Sequence, residues 1–346
     1  FLKFRQKLKL MKLIYAFSLL FLLIGCAMTG IRSEKINGVS FVASRDSISE
    51  KNIKPLLKIH ANYASVMPFG FIKDLSHPDI QYNSNRQWFG ETKEGVKQYI
   101  LELKKEGIFI MMKPQIWVWR GEFTGQINMA TEEDWKYLED SYTRFIIDYA
   151  KLAQETDVEI FCIGTELENF IDKRPTYWNS LIIEIRNVYK GKLAYAANWN
   201  EYNKTPFWGD LDYIGIDGYF PVSDLKTPTV EACKIGLERW KKEVKSYHER
   251  YNKPILFTEF GYRSVNFTGK EPWRSDGHLD EVNLEAQTNA TQAFFDTFWN
   301  EDWIAGGFIW KWFHNHEKSG GKEDNQFTPQ NKPVEVLIKT QYSENY

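Results

Sequence analysis

Cysteine is scarce, with three among 346 residues, at positions 26, 162 and 233. That number excludes a disulfide framework, and the spacing excludes a cysteine-built metal site. Cys162 lies in a strand-like apolar run and Cys233 in a helix-like one, so both read as buried thiols. Excess charge of one sign is missing too. The formal net charge is −2, which leaves no electrostatic footprint for nucleic acid. Gly-rich phosphate loops are absent. The first strand-like run is followed by Ala43-Ser44-Arg45-Asp46, not by the tight glycine turn of a dinucleotide fold. Ser319-Gly320-Gly321-Lys322 lacks the Walker spacing and reads as a flexible loop. There is no internal repeat and no low-complexity linker. No run is long enough to span a bilayer. The longest, Leu13 to Ile24, holds 12 residues broken only by Ser18, too short to cross and right for the apolar part of an export signal.

That run ends in Leu22-Leu23-Ile24-Gly25-Cys26, which resembles a bacterial lipobox, where cleavage exposes the cysteine for lipid attachment. Met11-Lys12 opens like a typical signal and is the expected start. The expected organisation is an export signal over 1–25, a lipid-anchored tether over 26–35 attached through Cys26, and one catalytic domain over 36–346. The expected location is the bacterial cell envelope, with membrane contact only through the anchor. An ordinary secretory signal or an uncleaved anchor is the alternative.

Aromatic residues are plentiful: 13 Trp, 18 Tyr and 24 Phe. A core absorbs many of them, and a sugar-binding cleft uses the rest. Apolar runs of strand character occupy 38–44, 63–68, 108–118, 158–165, 193–199, 212–220, 254–261 and 305–313. Helical periodicity fills the gaps. Val96, Tyr99, Ile100 and Leu103 follow the i, i+3, i+4, i+7 pattern within 92–106, and Gly107 supplies a stop. Further amphipathic helices are expected over 131–155, where Thr131 and Asp134 form an acidic capping box, and over 176–190 and 229–251. Helix-like patterns also fit 49–60, 285–299 and 333–340. The stretch 200–211 carries no full helix. Eight strand–helix alternations with apolar strands predict a parallel sheet closed into a single (β/α)₈ TIM barrel of the α/β class.

In such barrels the active site lies where the strands end. Two carboxylates stand there, Glu166 after the fourth run and Glu259 after the seventh. Each follows several apolar residues, where an unpaired carboxylate costs several kcal/mol, on the order of 2–7 even for smaller polar groups. A structural ion pair, Glu259 with Arg263, is the alternative for one of them. A matched pair across the barrel mouth suits glycoside hydrolysis, which needs one carboxylic acid to protonate the leaving oxygen and a second carboxylate to attack or to activate water. Nearby Trp and Tyr residues would exclude water and raise the acid's pKa.

Four segments resemble glycoside hydrolase family 113, the β-mannanase-type barrels: KPQIW at 113–117, FCIGTELE at 161–168, DYIGIDGYFPV at 212–222 and PILFTEFGYRS at 254–264. The tail FTPQNKP at 327–333 fits as well. The resemblance spans nearly all of 36–340, within the clan of retaining (β/α)₈ glycosidases. It implies Glu166 as acid/base and Glu259 as nucleophile, with cleavage of β-1,4-mannan-type linkages by double displacement. One position departs from the wider clan: Thr165 stands where an Asn usually precedes the acid/base and binds the sugar 2-hydroxyl, and Asn198 is the candidate to supply that contact.

The other expected sugar contacts are Lys113, Gln115, Trp117, Trp199, Tyr219 and Trp310. Tyr219 is placed to hydrogen-bond the nucleophile, Trp310 floors the cleavage subsite or packs in the core, and Trp119 and Arg120 are further cleft candidates. Glu168 is expected in a loop. His314-Asn315-His316-Glu317 lacks a third spaced ligand and reads as a solvated loop, so neither metal nor cofactor is expected. The expected partner is an oligo- or polysaccharide, bound by a monomer. Another β-glycanase of the clan and a non-catalytic glycan-binding lipoprotein are the competing functions.

Overall fold

A computed structural model describes residues 35–274 and 281–344. The expected export signal, Cys26 and all of the tether but Lys35 lie outside the described residues.

Eight parallel strands close into a barrel. In order around it they are β1 (Ile36–Phe41), β2 (Tyr63–Val66), β4 (Phe109–Met112), β6 (Ile160–Thr165), β7 (Lys192–Asn198), β8 (Ile214–Asp217), β9 (Ile255–Phe260) and β10 (Ile304–Trp312), the last pairing back onto β1. The eight expected runs coincide with these eight strands. Most of their residues are buried, because helices cover the outside and stacked side chains fill the inside.

The helices match their periodicity. α1 (Glu50–Lys58), α2 (Lys93–Lys105), α3 (Glu132–Glu155), α5 (Pro175–Val188), α6 (Val230–Tyr251), α7 (Leu284–Phe298) and α8 (Pro333–Glu344) all fall on predicted stretches, and a short α4 (Glu168–Lys173) precedes α5. In α2, Val96, Tyr99, Ile100 and Leu103 are buried as one face. Gly107 takes φ +77, a left-handed conformation that costs glycine little. Thr131 accepts the Asp134 amide at 3.1 Å and caps α3, while the Asp134 carboxylate turns to the Thr131 hydroxyl and leaves the reciprocal half of a capping box unmade.

Two expectations need correction. The run 108–118 is two strands, β4 and β5 (Gln115–Val118), broken at Lys113-Pro114. The reason is chemical: a proline has no N–H to give the ladder. The chain after β2 breaks at Pro68 in the same way. Beyond both prolines β3 (Phe69–Ile72) and β5 form a separate two-stranded parallel sheet, which raises a wall over one side of the strand ends. Glu168 opens helix α4 and does not sit in a loop; its carboxylate pairs with Lys204.

Candidate active site

The strand ends gather four acidic side chains and two lysines, Lys113 and Lys311. Glu259 lies near the end of β9, and Asp217 ends β8 in register beside it. Lys113 stands at the break between β4 and β5. Its ammonium donates to Glu259 Oε1 and is 3.6 Å from Asp217 Oδ1. Gln115 Nε2 donates to Glu259 Oε1 at 3.3 Å. Tyr219 donates its hydroxyl proton to Glu259 Oε2 at 2.6 Å. Thr258 Oγ1 donates to Asp217 Oδ1 at 2.7 Å. Glu259 is therefore enclosed by donors. The alternative pairing with Arg263 is not made; Arg263 turns instead to the Asn325 carbonyl.

Glu166 has different surroundings. It directly follows β6, with its amide bonded to the Ala196 carbonyl at 2.9 Å. Its φ is +51, a conformation a non-glycine residue adopts only under restraint. The restraint is visible: Leu167 N–H donates to the Tyr195 hydroxyl at 2.7 Å, and Thr124 Oγ1 donates to the Glu166 carbonyl at 3.2 Å. Tyr195 in turn gives its proton to Glu201, a buried carboxylate that also accepts the Asn198 amide at 3.0 Å.

Electrostatics separates the acids. Burial, then the charges of Asp217 and Glu259, push the Glu166 carboxyl well above the usual range. Burial and the neighbouring Glu259 charge raise Asp217 to about 7, against the pull of Lys113. Burial raises Glu201 to about 8. For Lys113 burial disfavours the charge, but Asp217 and Glu259 outweigh it and hold the ammonium above its ordinary value. Tyr219, raised by burial and by Glu259, stays a proton donor.

Most expected site residues converge here. Gln115, Tyr219 and Lys113 all meet Glu259, although Lys113 has no exposed surface and therefore acts on Glu259 where a sugar contact was expected. Trp310 is half-buried at the end of β10, with the Lys113 and Lys311 ammonium groups 6.0 and 5.5 Å from its ring centre. Gly261 lies so close behind that a Cβ there would come within 2.7 Å of the Trp310 carbonyl. Asn198 ends β7, and its Oδ1 accepts the Trp199 amide at 2.8 Å. Trp199 stacks on Trp273 at 4.8 Å. Trp117 and Trp119 are 48% and 66% exposed at the end of β5 and just beyond it. Asp217 and Glu201 are missing from the expectations. Asp217 carries the same signal as the other two, a carboxylate closing an apolar run. Glu201 lies in the polar stretch Asn200-Glu201-Tyr202-Asn203, which gives no sign of burial.

Recesses of about 420 Å³ beside Arg174 and Tyr177, and about 260 Å³ under residues 263–274, contain neither Glu166 nor Glu259. His316 bonds Glu335 at 2.7 Å, and among the described residues no group of three His, Cys, Asp or Glu is placed to hold a metal ion.

A family model described as Glycoside Hydrolase Family 113 matches residues 42–332. Solved structures share the fold. A family 113 β-mannanase of Alicyclobacillus acidocaldarius, in complex with ManMIm, has 21% identity and a TM-score of 0.78, with 90% of this chain and 98% of that chain covered. A complex of a family 113 β-1,4-mannanase has 20% identity and a TM-score of 0.77, over 90% and 99%. A β-glucuronidase of Dictyoglomus thermophilum has 16% identity and a TM-score of 0.60, over 90% of this chain and 51% of that one. No curated protein matches the chain.

Proposed function

The chain belongs to glycoside hydrolase family 113, and from that premise we propose that it cleaves β-mannosidic linkages of the β-1,4-mannan type by a retaining double displacement. As a glycoside hydrolase it acts on an oligo- or polysaccharide.

One observation carries the proposal: two carboxylates at facing strand ends have opposite surroundings. Glu259 is held by Lys113, Gln115 and Tyr219, donors that fix and aim its carboxylate. Glu166 is pushed toward the protonated form by burial and by neighbouring negative charge. A carboxyl kept protonated by its surroundings suits the acid, and one held in place by donors suits the nucleophile. Glu166 gives its proton to the leaving oxygen while Glu259 attacks the anomeric carbon. Glu166, now a base, then takes a proton from the water that breaks the ester. Retention requires the two carboxyls to stand roughly 5–5.5 Å apart. In this reading Trp310 floors the cleavage subsite and Trp117 and Trp199 line the cleft. Asn198, its Oδ1 already engaged, offers its NH₂ to the sugar where Thr165 replaces the clan's usual Asn.

The test is activity of the purified chain on mannan, glucomannan, cellulose and xylan, with the anomer of the first product read by NMR. The expected result is β-product from mannan. Release of α-product would end the retaining reading, and activity confined to cellulose or xylan would end the mannan reading.

We further propose, from the lipobox-like segment, that Cys26 carries a lipid and tethers the monomeric enzyme to the cell envelope. Labelled palmitate entering the wild type and not Cys26→Ser is the expected result; equal labelling of both would reject the anchor.

A further inference from the structure

Lys113 is a single ammonium shared by two carboxylates. It donates to Glu259 and stands 3.6 Å from Asp217. The Lys113 and Asp217 side chains have no exposed surface, and Thr258 donates to the same Asp217 oxygen, Oδ1, at 2.7 Å. The hydrolytic steps above use Glu259 alone and leave Asp217 without a part. Burying a second carboxylate beside a nucleophile is costly, so its presence calls for a physical reason.

We propose that Asp217 is a positioning residue that takes over as the ion partner of Lys113 while Glu259 is esterified, an inference that rests on Glu259 being the nucleophile. In the first step an electron pair of Glu259 forms the bond to the anomeric carbon. The glycosidic bond breaks with its electron pair on the leaving oxygen, which takes the proton of Glu166. Glu259 passes from one negative charge to none. Lys113 keeps its proton and its charge throughout. With Glu259 alone as partner, it would become a buried ammonium facing a neutral ester, the costly outcome of breaking a buried pair from one side. Asp217 already stands within ion-pair distance, so the countercharge is in place without rearrangement. Esterification also removes the Glu259 charge that disfavours ionised Asp217, so Asp217 becomes a better counterion when it is needed. The second step frees Glu259 and restores the original sharing. The effect is one-sided: Asp217 lowers the energy of the ester relative to the free enzyme.

A 2-deoxy-2-fluoro mannosyl fluoride separates the two steps, with the gluco epimer run alongside. Inactivation reports ester formation and reactivation reports its hydrolysis; intact mass and peptide mapping locate the label. Asp217→Asn is expected to slow inactivation about 100-fold, the scale of an uncompensated buried charge, and to leave reactivation unchanged or faster. Thr258→Val, which strips one hydrogen bond from Asp217, shows the same asymmetry at smaller size and serves if Asp217→Asn does not fold. In a Lys113→Met background, Asp217→Asn should cost less than about threefold, since the ammonium that Asp217 balances is gone. Equal slowing of both steps, or an undiminished loss in the Lys113→Met background, would overturn the inference and leave Glu259 as nucleophile. Labelling of the wild type at a residue other than Glu259 would overturn the nucleophile reading and this inference with it.

Discussion

The two sides of the barrel mouth differ in what their carboxylates touch. Glu259 meets an ammonium, an amide and a phenol, all donors. Glu166 has no such donors; its amide, its carbonyl and the following Leu167 amide are each hydrogen-bonded, and its carboxyl is raised by burial and by the charges of Asp217, Glu259 and Glu201. The same side chain, at the same kind of strand end, is thereby prepared for opposite tasks. In the proposed reading the surroundings assign the roles: donors around one glutamate suit a nucleophile, and burial with negative charge around the other suits an acid.

The largest effect should come from erasing the donor-side carboxylate. Glu259→Ala is expected to lose activity by a factor on the order of 10⁴ or more, the scale of removing a nucleophile, on polysaccharide and on aryl mannosides alike. Glu166→Ala is expected to lose about 10²–10⁴-fold on polysaccharide, where the leaving alkoxide needs a proton. It should lose far less of the first step on aryl mannosides with acidic phenols, and azide should restore turnover with a β-configured azide product. If azide instead gives the α-product from Glu166→Ala, the comparison is inverted.

A smaller loss tests the donors themselves. Tyr219→Phe and Gln115→Ala each remove one hydrogen bond to a charged group, worth about 1.5–3 kcal/mol. Their kcat/KM on aryl mannosides should fall by roughly 10–150-fold, since each 1.4 kcal/mol is about tenfold in rate. If both variants keep wild-type kcat/KM, the donors do not prepare Glu259.

The smallest effect is on stability and tests the acceptor side. Glu201 is raised by burial to about 8, so the folded chain holds its proton at pH values where the unfolded chain has lost it. The native state binds more protons there, and stability therefore falls as pH climbs from about 4.5 toward 8. The contribution is on the order of a few kcal/mol. Urea denaturation of Glu201→Gln should show a flatter decline over that window than wild type. The variant should also move the basic limb of the pH–rate profile to lower pH, because Glu201 helps to raise Glu166. Parallel stability curves for the two proteins would remove Glu201 from the comparison.

Much of this was legible in the residues. The eight strands and the main helices follow from two periodicities, and both glutamates follow from polar residues closing apolar runs. Three features were not legible. Pro114 splits an apolar run that periodicity alone reads as one strand. Lys113 looks like a cleft residue until β8 and β9 are seen to enclose it. Glu201 sits in a largely polar stretch, outside any apolar run that would announce burial.

The sequence by itself determined the alternation of strands and helices, hence the barrel, and that Glu166 and Glu259 close two of its apolar runs. Those are local properties, written in side-chain periodicity and in where each apolar run stops. Only the tertiary structure decided that Lys113 is shared by Asp217 and Glu259, that Tyr195 links Glu201 to the peptide after Glu166, and that one glutamate faces donors while its counterpart faces acids. Those partners lie between 6 and 146 residues apart in the chain. Electrostatic environment depends on distance in space and on exclusion of water, and neither is set until the barrel closes.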